Sequence, residues 1–140
     1  MLYVDTSILV AAMTPEARTG EMQDWLADQQ AGSLAISDWV VAEFSAALSV
    51  KLRSGQVSAQ DRAEALAVFG GMTEASFHLL PVTRTDFRVA ARFADQHATG
   101  LRAGDALHLA IAANHGARIR ALDRGLTGAA EALGLSAQLL

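Results

Sequence analysis

The chain has 140 residues, 51 % of them apolar and 19 % charged, a balance that suits one compact domain burying about two thirds of its unfolded surface. Eleven basic against fifteen acidic residues leave a net charge of −4, which excludes a broadly basic nucleic-acid surface; any such role must rest on local positive patches or on bound metal. Cysteine is absent, so disulfides and thiolate metal sites are excluded, and with no signal segment and no apolar run near the ~20 residues of a membrane span a cytoplasmic location is expected.

Leu2, Tyr3 and Val4 form an apolar run of β-formers that suits a strand buried on both faces. Asp5 follows at once, then Thr6 and Ser7, whose hydroxyls can cap a turn into a helix. Ile8 to Met13 reads as one or two helical turns stopped by Thr14-Pro15. Pro15 suits a first helical position, and Met22, Trp25 and Leu26 recur at helical spacing up to Gln30, with Gly32 as the break. Leu34 to Ile36 is a second strand. Ser37 or Asp38 caps a helix through Val40, Phe44, Leu48 and Leu52, closed by Gly55. Ser58 with Asp61 resembles a capping box, opening a helix past Leu66 and Phe69 that Gly70-Gly71 weakens. Phe77 to Val82 is a third strand. Thr83 and Asp86 repeat the capping pattern ahead of a helix through Phe87 and Phe93, ended by Gly100. Ala103 to His115 is the next helix, Arg118 to Leu122 a fourth strand, Leu126 to Leu133 a short helix, and Leu135 to Leu140 a candidate fifth strand. This rhythm predicts a three-layer α/β/α sandwich around a parallel sheet of four to five strands, with every strand's carboxyl end on one edge.

Ligands of open α/β sheets bind at that edge. Asp5 either caps the next helix or belongs to a site there. Asp105 opens the helix from Leu101 to Asn114, which is apolar around nearly its whole circumference and should be deeply buried. A charge on such a helix is costly unless paired or metal-bound; Arg102 is the obvious ion-pair partner. Glu43 borders the apolar stripe of its own helix, and Asp123 follows the fourth strand as Asp5 follows the first. Four carboxylates on one edge, in a chain without thiolates, suit Mg²⁺ or Mn²⁺, hard cations that take oxygen ligands.

At these residues the chain resembles the PIN-domain ribonucleases, most closely the VapC-like toxins of bacterial toxin–antitoxin pairs, over its whole length as a single domain of residues 1–140. The markers are Tyr3-Val4-Asp5-Thr6-Ser7, Glu43 after Ser37-Asp38, Leu101 to His108, and Leu122-Asp123-Arg124-Gly125-Leu126. The resemblance implies that Asp5, Glu43 and Asp105 take the places of the family's three core acidic residues and Asp123 the fourth, with Ser7 at a hydroxyl position near the metal. It implies an endoribonuclease in which carboxylates hold a divalent cation against the RNA phosphate and water attacks the phosphodiester. It also implies a homodimer silenced by a cognate antitoxin whose tail covers the acidic cleft, as a heterotetramer or larger assembly.

The histidines read as structural: His78 in a strand, His97 and His115 in last helical turns, and His108, one turn after Asp105, as that residue's partner rather than a base. Arg84, Arg88 and Arg92 form a basic stripe that either is solvated beside Asp86 and Asp95 or contacts RNA backbone; Arg102, Arg118, Arg120 and Arg124 are closer in sequence to the acidic residues. Two other classes are open. A PIN-like binding module without catalysis is opposed by the intact acidic set. A phosphoacceptor receiver domain needs an aspartate after the third strand and a lysine after the last, whereas that strand ends Pro81-Val82-Thr83 and the only lysine is Lys51.

Overall fold

The computed structural model describes residues 1–140. Strand β1 (Leu2–Val4) leads into α1 (Thr6–Met13), α2 (Thr19–Ala27), β2 (Leu34–Ser37), α3 (Asp38–Arg53), α4 (Ala59–Ala75), β3 (His78–Leu80) and α5 (Arg84–Ala94). A single 3₁₀ turn (His97–Thr99) precedes α6 (Ala103–Asn114), β4 (Arg118–Ala121), α7 (Arg124–Ala132) and β5 (Ala137–Leu139). The five strands are all parallel, in the order β3-β2-β1-β4-β5.

Tyr3 and Val4 are both fully buried although successive strand side chains point to opposite faces, and β2 is buried at every position. Helices therefore cover both faces, as a parallel sheet requires. Helix α6 is buried from Ala106 to Ala112, as its all-round apolar sequence demands. On the other side Phe44 of α3 meets Phe69 of α4 with ring centroids 4.2 Å apart, a contact worth about 0.5–1.5 kcal/mol beyond its buried area.

Local chemistry sets most element ends. Both expected capping boxes form: Ser58 with Asp61 at α4, and Thr83 with Asp86 at α5. Two expectations are corrected, the start of α2 and the end of α5. Helix α2 starts at Thr19, not Pro15, because the Thr19 hydroxyl donates to the carbonyls of Thr14 and Glu16 and holds residues 14–18 as a turn. Helix α4 runs past Leu66 and Phe69 as expected and continues through Gly70-Gly71 to Ala75, with Ala65 and Phe69 anchoring it in the core. Helix α5 stops at Ala94, and Gly100, at φ 68°, closes the 3₁₀ turn instead. No helix is long and apolar enough to cross a membrane.

Candidate functional site

The chain order puts β1 at the centre, with β2 and β3 added on one side and β4 and β5 on the other. The connections thus reverse direction between β1 and β4, and a crevice opens outside their carboxyl ends. Asp5 and Asp123 follow those two neighbouring strands, which pair up to an Asp5 N–H donating to the Arg120 carbonyl at 3.0 Å. Each is also a helix N-cap. Asp5 accepts the Ser7 N–H at 2.9 Å, and Asp123 accepts the Leu126 N–H at 2.9 Å. The capping role and the strand-end position coincide. Ser7 is a fastener: its hydroxyl donates to Asp5 Oδ2 and accepts the Leu122 N–H at 3.0 Å, joining the two turns.

Glu43 reaches the same edge from the second turn of α3. Its Oε2 accepts two hydrogen bonds, from the Thr6 hydroxyl at 2.8 Å and from His108 Nε2 at 2.6 Å. A carboxylate only accepts, so Nε2 carries the proton. His108 Nδ1 is hydrogen-bonded to the Tyr3 hydroxyl at 2.9 Å, and that hydroxyl to Ser37 Oγ at 2.7 Å. Tyr3, Ser37 and His108 are all essentially buried. Burial pushes the His108 imidazole down, but the Glu43 hydrogen bond and the charges of Asp5, Glu43 and Asp105 more than reverse this and hold it above its usual range. Burial pushes the Glu43 carboxyl up; the His108 and Thr6 contacts outweigh it and leave the group below the carboxylate range. The expectation that His108 partners Asp105 is corrected here. Its hydrogen bonds go to Glu43 and Tyr3, and its next nearest carboxylate is Asp5, 3.6 Å away.

Asp105 stands half-buried in the first turn of α6 with no ion pair to Arg102. Burial raises its carboxyl above the usual range, and the charges of Asp123 and Asp5 push it the same way. Glu43, Asp105 and Asp123 line one cleft of about 470 Å³ together with Arg102, Gly100, Gly104 and Gly125, and no hydrophobic residue takes part. Asp5, 6 % exposed, lies beneath the cleft rather than in its lining. Two glycines make room for the carboxylates. A Cβ on Gly104 would stand 3.2 Å from Glu43 Oε1, and one on Gly125 would stand 3.1 Å from Asp123 Oδ1.

An all-oxygen donor set with crowded negative charge fits a hard divalent cation. The fit is one of chemistry and space, not of a closed shell: no three Asp, Glu or His side chains converge at metal-holding distance. Of the remaining sequence candidates, Arg84, Arg88 and Arg92 are exposed on α5 and make no ion pairs, and Asp86 is buried beneath them between Thr83 and Asn114. His97 opens the 3₁₀ turn and His115 caps α6, while His78 bonds the Gly32 carbonyl. Tyr3, Thr6, Gly104 and Gly125 escaped the sequence reading as parts of this site. Tyr3 carried a signal: a tyrosine in a strand buried on both faces needs a buried partner for its hydroxyl.

Solved structures with this fold include FitAcB from Neisseria gonorrhoeae, 19 % identical with a TM-score of 0.71, covering 98 % of this chain and 96 % of that one. VapC20 of Mycobacterium tuberculosis, described as a sarcin-ricin loop cleaving toxin, is 19 % identical with a TM-score of 0.71 and covers 96 % of each chain. PAE2754 from Pyrobaculum aerophilum is 24 % identical with a TM-score of 0.69, over 97 % of this chain and 82 % of that one. No curated protein matches. The PIN domain family matches residues 2–132. With that match over nearly its whole length, the chain belongs to the PIN domain family.

Proposed function

We propose that the chain is a metal-dependent endoribonuclease, the toxin of a toxin–antitoxin pair, and that residues 1–140 act as one catalytic domain in the cytoplasm. The observation that carries this reading is the lining of a single polar cleft by Glu43, Asp105 and Asp123, above Asp5, in a PIN-domain chain. Glu43, Asp105 and Asp123, with Asp5 close by, would hold Mg²⁺ or Mn²⁺. Such an ion would polarise the scissile phosphoryl group and lower the pKa of the attacking water. Arg102, the one cation in the cleft lining, draws in and orients the RNA phosphate. His108 needs no base role, since its Nε2 proton is given to Glu43.

The partner reading rests on the surface next door. An apolar groove of about 240 Å³, lined by Trp39, Phe87, Ala91, Ala94 and Leu107 among others, shares Gly104 with the acidic cleft. Phe87 is 57 % exposed there. An antitoxin tail that seats an apolar side chain in the groove and a basic one in the cleft matches both surfaces, and VapBC2 from Rickettsia felis, 16 % identical, is a toxin–antitoxin relative of this fold solved on a promoter DNA fragment. We take the toxin to act as a homodimer that forms a heterotetramer or larger assembly with the antitoxin.

A second reading, a catalytically silent binding module, draws support from the capping duties of Asp5 and Asp123 and from the unclosed carboxylate set. One assay separates the two. The purified protein should cut single-stranded or loop RNA, stop in chelator and recover with Mg²⁺ or Mn²⁺. Undiminished cleavage in excess EDTA would remove the mechanism, and no cleavage with either ion would leave the binding module.

A further inference from the structure

Glu43 Oε2 offers two lone-pair positions, and both are taken, one by the Thr6 hydroxyl and one by His108. Oε1 lies over Gly104, a cleft-lining position where a Cβ would approach it to 3.2 Å. Behind His108 the hydrogen bonds continue through Tyr3 to Ser37, whose Oγ also receives the Val40 N–H in the first turn of the helix that carries Glu43. The chain of contacts therefore begins and ends on α3 and passes through α6, β1 and the last residue of β2. Tyr3, Ser37 and His108 are each at most 1 % exposed, so water does not compete for these bonds.

We propose that His108 is a positioning residue: backed by Tyr3 and Ser37, it locks Glu43 Oε2 into the protein so that Oε1 is the single oxygen Glu43 offers to a cation in the cleft. This rests on the metal-nuclease reading of the cleft. Rotation of the carboxylate would break the Thr6 and His108 bonds together, so Glu43 is fixed before any ion arrives. A hydrogen-bond partner that orients a metal ligand commonly commands about 10- to 100-fold in metal affinity.

The test is Mn²⁺ binding to the purified protein by titration calorimetry, with RNA cleavage kinetics beside it. His108→Leu keeps an apolar side chain in the core but removes the donor, and should weaken Mn²⁺ binding by about 10- to 100-fold. His108→Gln, whose amide N–H can stand where Nε2–H stood, should recover most of the loss. Tyr3→Phe should cost about fivefold, the worth of one neutral hydrogen bond. In cleavage, kcat should fall while KM for RNA stays, because the substrate does not touch His108. In a Glu43→Ala background, His108→Leu and Tyr3→Phe should each change Mn²⁺ affinity no further. If His108→Leu does not melt cooperatively, Tyr3→Phe, which removes a single oxygen, runs the same cycle. Losses that multiply with that of Glu43→Ala, or wild-type affinity in both His108→Leu and Tyr3→Phe, overturn the proposal. A wild-type protein that binds no Mn²⁺ overturns the metal reading itself, and the proposal with it.

Discussion

Asp105→Asn should make the metal-free protein more stable while ending cleavage. The carboxylate sits half-buried, and its ionisation is opposed first by burial and then by the charges of Asp123 and Asp5. Its folded pKa therefore lies above the unfolded value, and the ionised group penalises the fold. The penalty is fully present above the folded pKa and vanishes below the unfolded one, near pH 4. Relieving like-charge contacts yields about 0.2–1 kcal/mol each at a screened site, against about 0.3–1 kcal/mol lost from the helix dipole in the first turn of α6. The net is about 0.5 kcal/mol in favour of Asn. At about 0.3 kcal/mol per degree for a domain of this size, the mutant should melt about 2 °C higher in EDTA at pH 7. The difference should narrow towards pH 4, as wild-type Asp105 takes up its proton. Mn²⁺ at a hundredfold excess over Kd should raise the wild-type melt by ~2.7 kcal/mol, about 9 °C, and the mutant's by much less. Thermal melts of both proteins, with EDTA and with Mn²⁺, at pH 7 and pH 4, check all of this. A mutant that melts below wild type in EDTA would refute the reasoning and point to a structural partner for Asp105.

Gly104→Ala should leave the EDTA melt unchanged or about 1 kcal/mol higher through helix propensity, yet reduce the Mn²⁺ shift, because the new Cβ crowds Glu43 Oε1; an unchanged Mn²⁺ shift would free Glu43 of a ligand role. Asp86→Ala removes a buried carboxylate that accepts from the Thr83 N–H and hydroxyl and from the Asn114 amide, and should lower stability by about 2–4 kcal/mol, about 7–13 °C in the melt. Burial pushes the Asp86 carboxyl up, but these bonds hold it below the carboxylate range, so its contribution is present above the unfolded value and fades as pH falls through the folded one; the gap to Asp86→Ala should narrow below about pH 4. Arg102→Ala, at an exposed position without an ion pair, should leave the melt alone and reduce the slope of log affinity against log salt by ~1 for RNA bound to an Asp105→Asn background, as read by fluorescence anisotropy.

What could be read from the chain alone followed the range of the interactions. The Ser58/Asp61 and Thr83/Asp86 boxes are closed within three residues, and both formed as written in the sequence. The parallel sheet was legible because β1 and β2 are apolar without alternation. The start of α2 was not, because a proline preference gave way to side-chain bonds of Thr19 that span a turn of no regular pattern. His108 shows the limit most plainly. Helical spacing put it on the face of Asp105, yet its partners Glu43 and Tyr3 lie 65 and 105 residues away in the chain. Periodicity reports which way a side chain faces on its own element; only the packing of α6 over β1 and α3 decides what it meets. The same holds for Gly104, whose lack of a Cβ answers to a carboxylate on another helix.

The pairing of β1 with β4 joins residues 2–4 to residues 118–120, and the Ser7 hydroxyl adds a bond to Leu122 across 115 positions. During synthesis the first strand leaves the ribosome long before its neighbour exists. At roughly 5–20 residues per second, β4 and Asp123 follow about 6–24 s later. Until then β1 lacks one of its two flanking strands, and the cleft has no Asp123 wall. A nascent chain of this protein is thus unable to assemble its acidic edge until residue 123 is available, and that interval is open for another protein to meet the chain first.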